Sequence, residues 1–517
     1  MPRLGLARSS ALVILLVVIG GFVGASTAAA QATPVPEFKG PLPITAESYP
    51  MMMSSKLQTV VDLGKAGYVE EEFLVSGRAN VYDWGADGKA VVKTPNAPYT
   101  TRILLRRPST PQRFSGNVII EVPNSARRFD FNFVWGVSHD YFMENGDVFV
   151  VVTINQSNLE ALKLFDPMRY ASLSFANPTP DEACAVGRGG GAPQTSTSEE
   201  GLQYDILSQV AALLKAGRPG GPLAGFNVQR AYMTAYDAIQ TNYMVGIHPI
   251  ARLPNGRPVY DGYVQHRNPT LGRLRRCGVL PAPDDPRHIV RNVDVPVIRI
   301  VPETDVLTLY RFRREDSDAP TDRYRLYEVA GGAHADGYFY WYYPPVDVLR
   351  KVGSMYPLLN AWPFLNQCEP EMLTQKTPIN TYVMDAAFAN LTRWIKDGVP
   401  APKAARIQVE NGGTPQARVV RDQYGNAIGG YRTPYLDVPV ATYVTSTKGE
   451  GFCAELGRTD PFSFARLVSA HGTPQNYVAK VTKSVDQLVK DRFLTESDGK
   501  KIKAEAGAFS TVTTSSN

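Results

Sequence analysis

The chain has 517 residues, 44% of them hydrophobic and 20% charged, which is the composition of an ordinary globular protein. Its 54 basic and 49 acidic side chains give a net charge of +5. This surplus is small for the length and forms no basic run, so the sequence argues against nucleic acid as a partner.

The first 30 residues have the pattern of an export signal. Arg3 and Arg8 precede an apolar stretch over residues 11–23, and three alanines at 28–30 form a small-residue cleavage site. The stretch is too short and too poorly flanked for a stable span, although a retained anchor is the alternative. No later stretch approaches about 18 uninterrupted apolar residues. We therefore expect a secreted or periplasmic protein that loses residues 1–30 and has no membrane span afterwards.

Residues 71–106 alternate between apolar and polar side chains, which predicts antiparallel strands at a sheet edge. Residues 117–122 and 148–154 are continuous apolar runs, typical of strands buried on both faces of a parallel sheet. Between them, residues 135–144 are expected to form a helix closed by Asn145 and Gly146. The three segments make a strand–helix–strand unit.

A stretch rich in Pro, Gly, Ser and Thr at about 166–200 is interpreted as a surface insertion near the active face. Its glycine run at 187–191 lacks both the G-K-[ST] ending and the preceding strand of a phosphate loop. Residues 204–215 then carry apolar side chains at helical spacing. The helix leads through a Gly-Pro turn to the next strand.

That strand, at 228–237, ends in Asp237, where a nucleophilic serine would be expected before a helix. Two later apolar strands, at 295–301 and 324–329, lead to Glu303 and Asp305 and to His334. The chain order is therefore nucleophile, acid, histidine. The alternation of elements predicts an α/β protein with a mostly parallel sheet.

Beyond these strands, residues 338–380 are expected to supply a lid and a helix at 381–396 follows. The chain from about 400 to 505 is interpreted as a wrapping extension with a last amphipathic helix near 478–494. We treat residues 31–510 as one domain and expect a disordered Ser-Thr-rich tail.

The four cysteines are widely spaced and include no C-x-x-C pair, which argues against a structural zinc site. In an oxidising compartment they are expected to form two disulfides, for which three pairings exist. We favour Cys184 with Cys277 and Cys368 with Cys453, each closing a loop-rich excursion. Buried free thiols are the alternative.

Several segments of the chain resemble secreted bacterial proteins described as α/β-hydrolase domain-containing. They are residues 115–121, 166–170, 204–207, 247–249, 327–336, 429–434 and 438–442. The resemblance covers nearly the whole mature chain and implies the α/β-hydrolase fold and a hydrolase ancestry, without naming a substrate. Where those proteins typically have Gly-x-Ser-Gln, this chain has Ala235-Tyr236-Asp237-Ala238-Ile239.

Asp237 has two interpretations. An ionised carboxylate can attack a saturated carbon without a base, after which His334 would activate water against the enzyme ester. In proteins that use aspartate at this site, the residue after the aspartate is usually tryptophan, and Ala238 does not match this pattern. The β-branched Ile239 is also expected to crowd the turn. The other interpretation is a helix N-cap.

His334 follows a strand and a Gly-Gly turn, where an imidazole can be presented at the carboxyl edge of the sheet. Asp305 lies in the usual place for the acid that orients it, and Glu303 is close enough to substitute. The loop at 123–127, with Asn124 and Ser125, is in the position that supplies an oxyanion amide.

The amide of Ala238 would supply the second oxyanion donor. Ser125 is otherwise a turn residue and not a replacement nucleophile. The aromatic run at 338–343, with Tyr338 and Tyr340, either lines a pocket or packs as a cap over the sheet edge.

The sequence thus predicts an exported hydrolase that acts on a small, uncharged, ester-like molecule without a cofactor or a metal. One alternative is a catalytically inactive binding protein that keeps the pocket. Another is an epoxide- or haloalkane-type hydrolase that uses Asp237. The sequence does not define the oligomeric state.

Overall fold

A computed structural model describes Met1 and residues 32–124, 127–184, 192–235, 239–267, 269–336, 342–354, 368, 377–449 and 453–515. The chain divides into two compact units, Met1–Gln31 and Ala32–Asn517. Apart from Met1, the predicted export signal lies outside the described residues. All of the elements below belong to the second unit.

Within the described residues, one large sheet contains β1 (Glu37–Lys39), β2 (Tyr68–Trp84), β3 (Ala90–Pro108), β4 (Asn117–Val122), β5 (Val148–Val152), β6 (Arg230–Ala235), β7 (Gly262–His266), β8 (Val297–Pro302), β9 (Ser317–Ala319) and β10 (Asp322–Val329). Their spatial order is β1-β2-β3-β5-β4-β6-β7-β8-β10-β9. The six strands from β5 to β10 in this order are parallel, and the strands outside them pair antiparallel. The predicted mostly parallel α/β sheet is confirmed.

The helices of the described chain are α1 (Phe133–Asn145), α2 (Gln156–Phe165), α3 (Gln203–Ala216), α4 (Ile239–Asn242), α5 (Glu303–Val306), α6 (Val346–Lys351), α7 (Ile379–Asp397), α8 (Pro434–Asp437), α9 (Phe464–His471), α10 (Pro474–Lys490) and α11 (Glu496–Ser515). Two small antiparallel ladders join β11 (Val409–Glu410) to β12 (Arg418–Val419) and β13 (Ala441–Val444) to β14 (Arg458–Pro461). Across the ranges that are described, no helix has the length and apolar character needed to cross a membrane.

The centre of the sheet is buried on both faces, as the continuous apolar runs predict. Every residue of β4, β5, β6 and β8 is buried. The register aligns the strand ends: Val122 of β4 pairs with Ala235 of β6, and Pro302 of β8 pairs with Val329 of β10. The chain therefore leaves these four strands at the same edge of the sheet.

Strand β7 was missed by the sequence analysis because Gln265 and His266 interrupt its apolar pattern. Both polar side chains are nevertheless buried. Gln265 Nε2 donates to Thr241 Oγ1 at 2.6 Å, which satisfies the amide inside the protein. This strand lies between β6 and β8, so it separates the proposed nucleophile strand from the acid strand.

The carboxyl-terminal part differs from the sequence prediction. Where the sequence analysis expected a single helix near 478–494, the structure has two helices, α10 and α11, that pack against each other in antiparallel orientation. Helix α11 continues to Ser515, beyond the predicted domain end at 510, so the expectation of a disordered tail was wrong for residues 510–515. Packing between the two helices explains the second helix, because Ile502 and Ala506 of α11 are buried against Val481 and Val485 of α10.

Two disulfides join Cys184 to Cys277 and Cys368 to Cys453, with Cα–Cα distances of 5.2 and 5.5 Å. These are the pairs that the sequence analysis favoured. Each bond closes a long loop, with sequence separations of 93 and 85 residues. Such loops are where a covalent link most restricts the unfolded chain.

We expect the purified protein, denatured without a reductant, to show no titratable thiol, because all four cysteines are paired. Peptide mapping under the same conditions should recover the 184–277 and 368–453 linkages. Two or more titratable thiols per chain, or a different linkage, would contradict the structure.

Candidate active site

His334 is placed by a glycine turn at the end of β10. Gly331 has a φ of +71°, a left-handed conformation that glycine adopts without strain. The Gly331 amide donates to Glu303 Oε2 at 2.7 Å, and the His334 amide donates to Thr304 Oγ1 at 3.1 Å. Two residues that follow β8 thus fix the backbone that carries the imidazole.

The side chain of His334 contacts Asp305, which lies in the short helix α5 directly after β8. Asp305 Oδ1 is 3.0 Å from His334 Nδ1. Arg267 Nε lies 3.1 Å from Asp305 Oδ2, so a guanidinium compensates the carboxylate charge. Arg267 has a φ of +71°, unusual for a residue with a side chain, and comes directly after β7.

Glu303 has a different set of partners from Asp305. It accepts from Gly331, from Arg421 Nη2 at 2.8 Å and from Thr445 Oγ1 at 3.3 Å. Its side chain is almost fully buried. Of the two acids that the sequence offered, Asp305 contacts the imidazole and Glu303 joins the histidine turn to the carboxyl-terminal extension.

The other nitrogen of His334 faces a residue that the sequence analysis did not identify. Glu455 Oε2 lies 3.2 Å from His334 Nε2. Glu455 belongs to a one-turn helix, Cys453–Glu455, that begins at the cysteine bonded to Cys368. Nothing local in the sequence marks Glu455, because the extension reaches the site only through the tertiary fold.

The candidate nucleophile belongs to the connection between β6 and α4. Strand β6 ends at Ala235 and α4 begins at Ile239, so three residues connect them. Asp237 and Ala238, both predicted site residues, lie outside the described residues. The connection has the length of a tight strand–helix turn at the edge where His334 lies.

Helix α4 contains four residues and passes directly into a π-helical turn, Tyr243–Ile247. Gln240 Nε2 donates to Met233 O at 2.8 Å, and Asn242 Nδ2 donates to Tyr204 OH at 2.7 Å. These buried hydrogen bonds attach the start of the helix to β6 and to α3. Ile239 is half-buried at the first helical position.

The loop after β4 is the candidate source of an oxyanion amide. The Asn124 amide donates to Phe131 O at 3.2 Å, so an oxyanion role for this amide would require that bond to be exchanged. Ser125 lies outside the described residues. Asp130 anchors the loop by accepting from Arg102 Nη2 at 2.9 Å and from Asn158 Nδ2 at 2.8 Å.

Glu121, within the apolar run of β4, caps helix α1 and was also missed. Its carboxylate accepts from the amides of Val134 at 2.9 Å and Trp135 at 3.2 Å. Burial raises the pKa of Glu121 to about 8, against the opposing effect of these hydrogen bonds. The role of the Glu121 carboxyl group is therefore to accept hydrogen bonds from amides at the start of α1, next to the candidate oxyanion loop.

The predicted aromatic cluster is described in part. Tyr338 and Tyr340 lie outside the described residues. The Tyr343 ring is buried and packs edge-on against Phe129 and Phe131, with centroid distances of 5.1 and 5.2 Å. At this position the aromatic run forms a packed cap over the loop after β4.

His266 at the end of β7 adds a second buried imidazole. Its ring lies 4.8 Å from the Phe133 ring. Burial holds the pKa of His266 well below its usual range, and the charges of Arg267 and His334 act in the same direction. The ring is therefore neutral at physiological pH. Across the residues that are described, no cluster of His, Cys, Asp or Glu has a metal-binding arrangement.

Residues 38–504 match the model of the alpha/beta hydrolase domain family, and the chain belongs to this family. No curated protein matches the chain. Solved structures similar to it include esterase Est22, with 11% identity, 56% of this chain and 80% of that chain covered, and a TM-score of 0.30. Another is a putative dienelactone hydrolase from Klebsiella pneumoniae subsp. pneumoniae MGH 78578, with 14% identity, 49% of this chain and 85% of that chain covered, and a TM-score of 0.22. A third is a dienelactone hydrolase from Anabaena variabilis ATCC 29413, with 12% identity, 49% of this chain and 87% of that chain covered, and a TM-score of 0.25.

We expect Glu303→Gln to lower the free energy of unfolding by about 1–3 kcal/mol, because a buried carboxylate loses its charge beside Arg421. Urea denaturation measures the change. Glu410→Gln is the matched control, since Glu410 pairs with Arg418 on the exposed surface and should cost less than about 0.5 kcal/mol. Equal effects of the two substitutions would contradict a structural role for Glu303.

Proposed function

We propose that this protein is an exported hydrolase that acts on a small, uncharged, ester-like substrate. Asp237 occupies the nucleophile position, His334 is the base and Asp305 orients the imidazole. The observation that carries the proposal is the 3.0 Å contact between Asp305 and His334 at the sheet edge where β6 also ends. Membership of the alpha/beta hydrolase domain family supports the same reaction class.

In the proposed reaction, the Asp237 carboxylate forms a bond to the electrophilic carbon of the substrate, and the leaving group departs with the electron pair of the broken bond. His334 Nε2 then takes a proton from water. The covalent intermediate is a mixed anhydride when the attacked carbon is the acyl carbon of an ester, and an alkyl ester when that carbon is saturated. The hydroxide attacks the Asp237 carbonyl carbon of this intermediate, and the bond from that carbon to the substrate-derived oxygen breaks, which releases the product and leaves Asp237 protonated. The imidazole proton passes to the departing product and the Asp237 proton passes to the first leaving group or to solvent, so both side chains are restored and one water is consumed in each cycle.

Asp305 acts in this scheme through His334. Its hydrogen bond to Nδ1 fixes the tautomer that leaves a lone pair on Nε2, and its charge stabilises the imidazolium that forms. Oxyanion stabilisation is assigned to the Ala238 amide and to an amide of the loop at 123–127. Tyr338 and Tyr340 remain candidates for the wall of the substrate pocket.

Export is part of the proposal. The first 30 residues have the pattern of a cleaved signal, and two disulfides are typical of oxidising compartments. We therefore propose a secreted or periplasmic location for the mature chain.

Two observations favour an inactive binding protein as the competing function. Glu455 lies against Nε2 of His334, the nitrogen that the base would use. Ile239 stands at the start of α4, where a small residue usually follows the nucleophile. An Asp nucleophile also suits epoxide or haloalkane hydrolysis, in which the attacked carbon is saturated.

We expect Asp237→Asn to abolish turnover of esters, epoxides and haloalkanes, because a neutral amide does not attack. His334→Gln should allow attack, stall hydrolysis and leave a covalent adduct that intact mass spectrometry detects. Glu410→Gln, which removes a charge from an exposed ion pair with Arg418, is the control with unchanged turnover. An inactive binding protein would show only the buffer rate with all of these chains.

We expect turnover in ¹⁸O-water to place the label in the peptide that contains Asp237, because water attacks the Asp237 carbonyl carbon. Peptide mass spectrometry after several turnovers measures the label. If the label enters only the product, water attacks the substrate-derived carbon, which would contradict the proposed attack of water on the Asp237 carbonyl carbon.

A further inference from the structure

Glu455 lies at the working face of the histidine. Because Nδ1 of His334 is held by Asp305, Nε2 is the nitrogen that faces reacting groups. Glu455 Oε2 lies 3.2 Å from this nitrogen. Any molecule that reacts with help from His334 must therefore pass within contact distance of the Glu455 carboxylate.

The backbone of Glu455 is fixed on both sides. Its carbonyl accepts from the Ala335 amide at 2.9 Å, and the Gly457 amide donates to Ala335 O at 3.2 Å. Leu456 and Cys453 are completely buried, and Cys453 is bonded to Cys368. The side chain of Glu455 is nevertheless 44% exposed, so an incoming molecule can reach the carboxylate.

Asp305 and Glu303 each have an arginine partner, and Glu455 differs from them in this respect. Arg267 pairs with Asp305 at 3.1 Å, and Arg421 pairs with Glu303 at 2.8 Å. Among the residues that the structure describes, no lysine or arginine forms an ion pair with Glu455. The carboxylate therefore adds a negative potential where a substrate would lie.

The state of the imidazole strengthens this effect. A doubly protonated ring can donate to Asp305 and to Glu455 together. A neutral ring with its proton on Nδ1 presents a lone pair at Nε2, to which a carboxylate cannot donate. Because the two atoms lie 3.2 Å apart, one hydrogen-bond donor or one cation can contact both acceptors at once.

We propose that Glu455 is a specificity-determining residue, which favours substrates with a cationic or hydrogen-bond-donating group near the reacting bond and disfavours anionic ones. This inference refines the substrate class of the proposed function, because it extends the uncharged ester-like molecules named there to esters with a cationic group, and it depends on that function for the role of His334. A half-exposed charge is screened by solvent, so its expected effect on selectivity is about tenfold.

The test compares three 4-nitrophenyl esters that share a leaving group and a four-carbon acyl chain: the butyrate, the 4-(trimethylammonio)butyrate and the 4-sulfobutyrate. The quaternary ammonium group cannot attack the acyl carbon of its own molecule and the sulfonate is a poor nucleophile, so the release of 4-nitrophenol reports the enzyme. We expect the wild-type chain to hydrolyse the ammonium ester with a kcat/KM at least about ten times that of the sulfonate ester. Glu455→Gln keeps the shape of the side chain and removes its charge. It should reduce this ratio about tenfold and change kcat/KM for the neutral butyrate less.

Glu410→Gln removes an equivalent charge on the surface and should leave the ratio unchanged. A ratio that stays within twofold in Glu455→Gln would overturn the proposal. Thermal denaturation of both variants shows whether each is folded. If Glu455→Gln fails to fold, Glu455→Asp, which keeps the charge and withdraws it from Nε2, should give an intermediate ratio.

A second readout does not require turnover. Diethyl pyrocarbonate modifies histidines, and peptide mass spectrometry reports the rate at His334. We expect tetramethylammonium chloride, compared with sodium chloride at equal ionic strength, to slow this rate in the wild-type chain and not in Glu455→Gln.

Protection without hydrolysis of any ester would contradict the proposed function and leave the cation preference of Glu455 standing. Ester hydrolysis with neither protection nor a changed ratio would overturn the inference about Glu455 alone.

Discussion

The parallel alignment of β6, β8 and β10 is the constraint on which the candidate site depends. Parallel strands in register end at one edge, so residues far apart in the chain meet there. Asp305 and His334 are brought together in this way, although no local signal joins them. The intervening β7 contributes Arg267, whose guanidinium compensates Asp305 at the same edge.

The carboxyl-terminal extension is the second determinant of the site. Arg421 and Thr445 contact Glu303, and Glu455 reaches His334 itself. A backbone pairing between Val329 and Tyr431 continues the end of β10 into the extension. The extension is therefore part of the site, and we expect the site to function only when the extension is folded against it.

The sequence predicted the fold well because the buried strands have continuous apolar runs and the helices have clear periodicity. It also predicted that Asp305 and His334 each follow such a strand, and the structure brings these two residues into contact. It missed β7 because buried Gln265 and His266 look like surface residues when their partners are unknown. It missed Glu455 because a half-exposed glutamate in a one-turn helix carries no mark of the contact that the tertiary fold creates.

A crystal structure of the mature protein that resolves residues 236–238 would test the central claim most directly. The measurement is the distance from the Asp237 carboxylate to His334 Nε2. We predict a separation of about 3–6 Å, which permits a direct contact or one bridging water between the nucleophile and the base. A separation greater than about 10 Å, or Asp237 in the middle of a helix, would contradict the account.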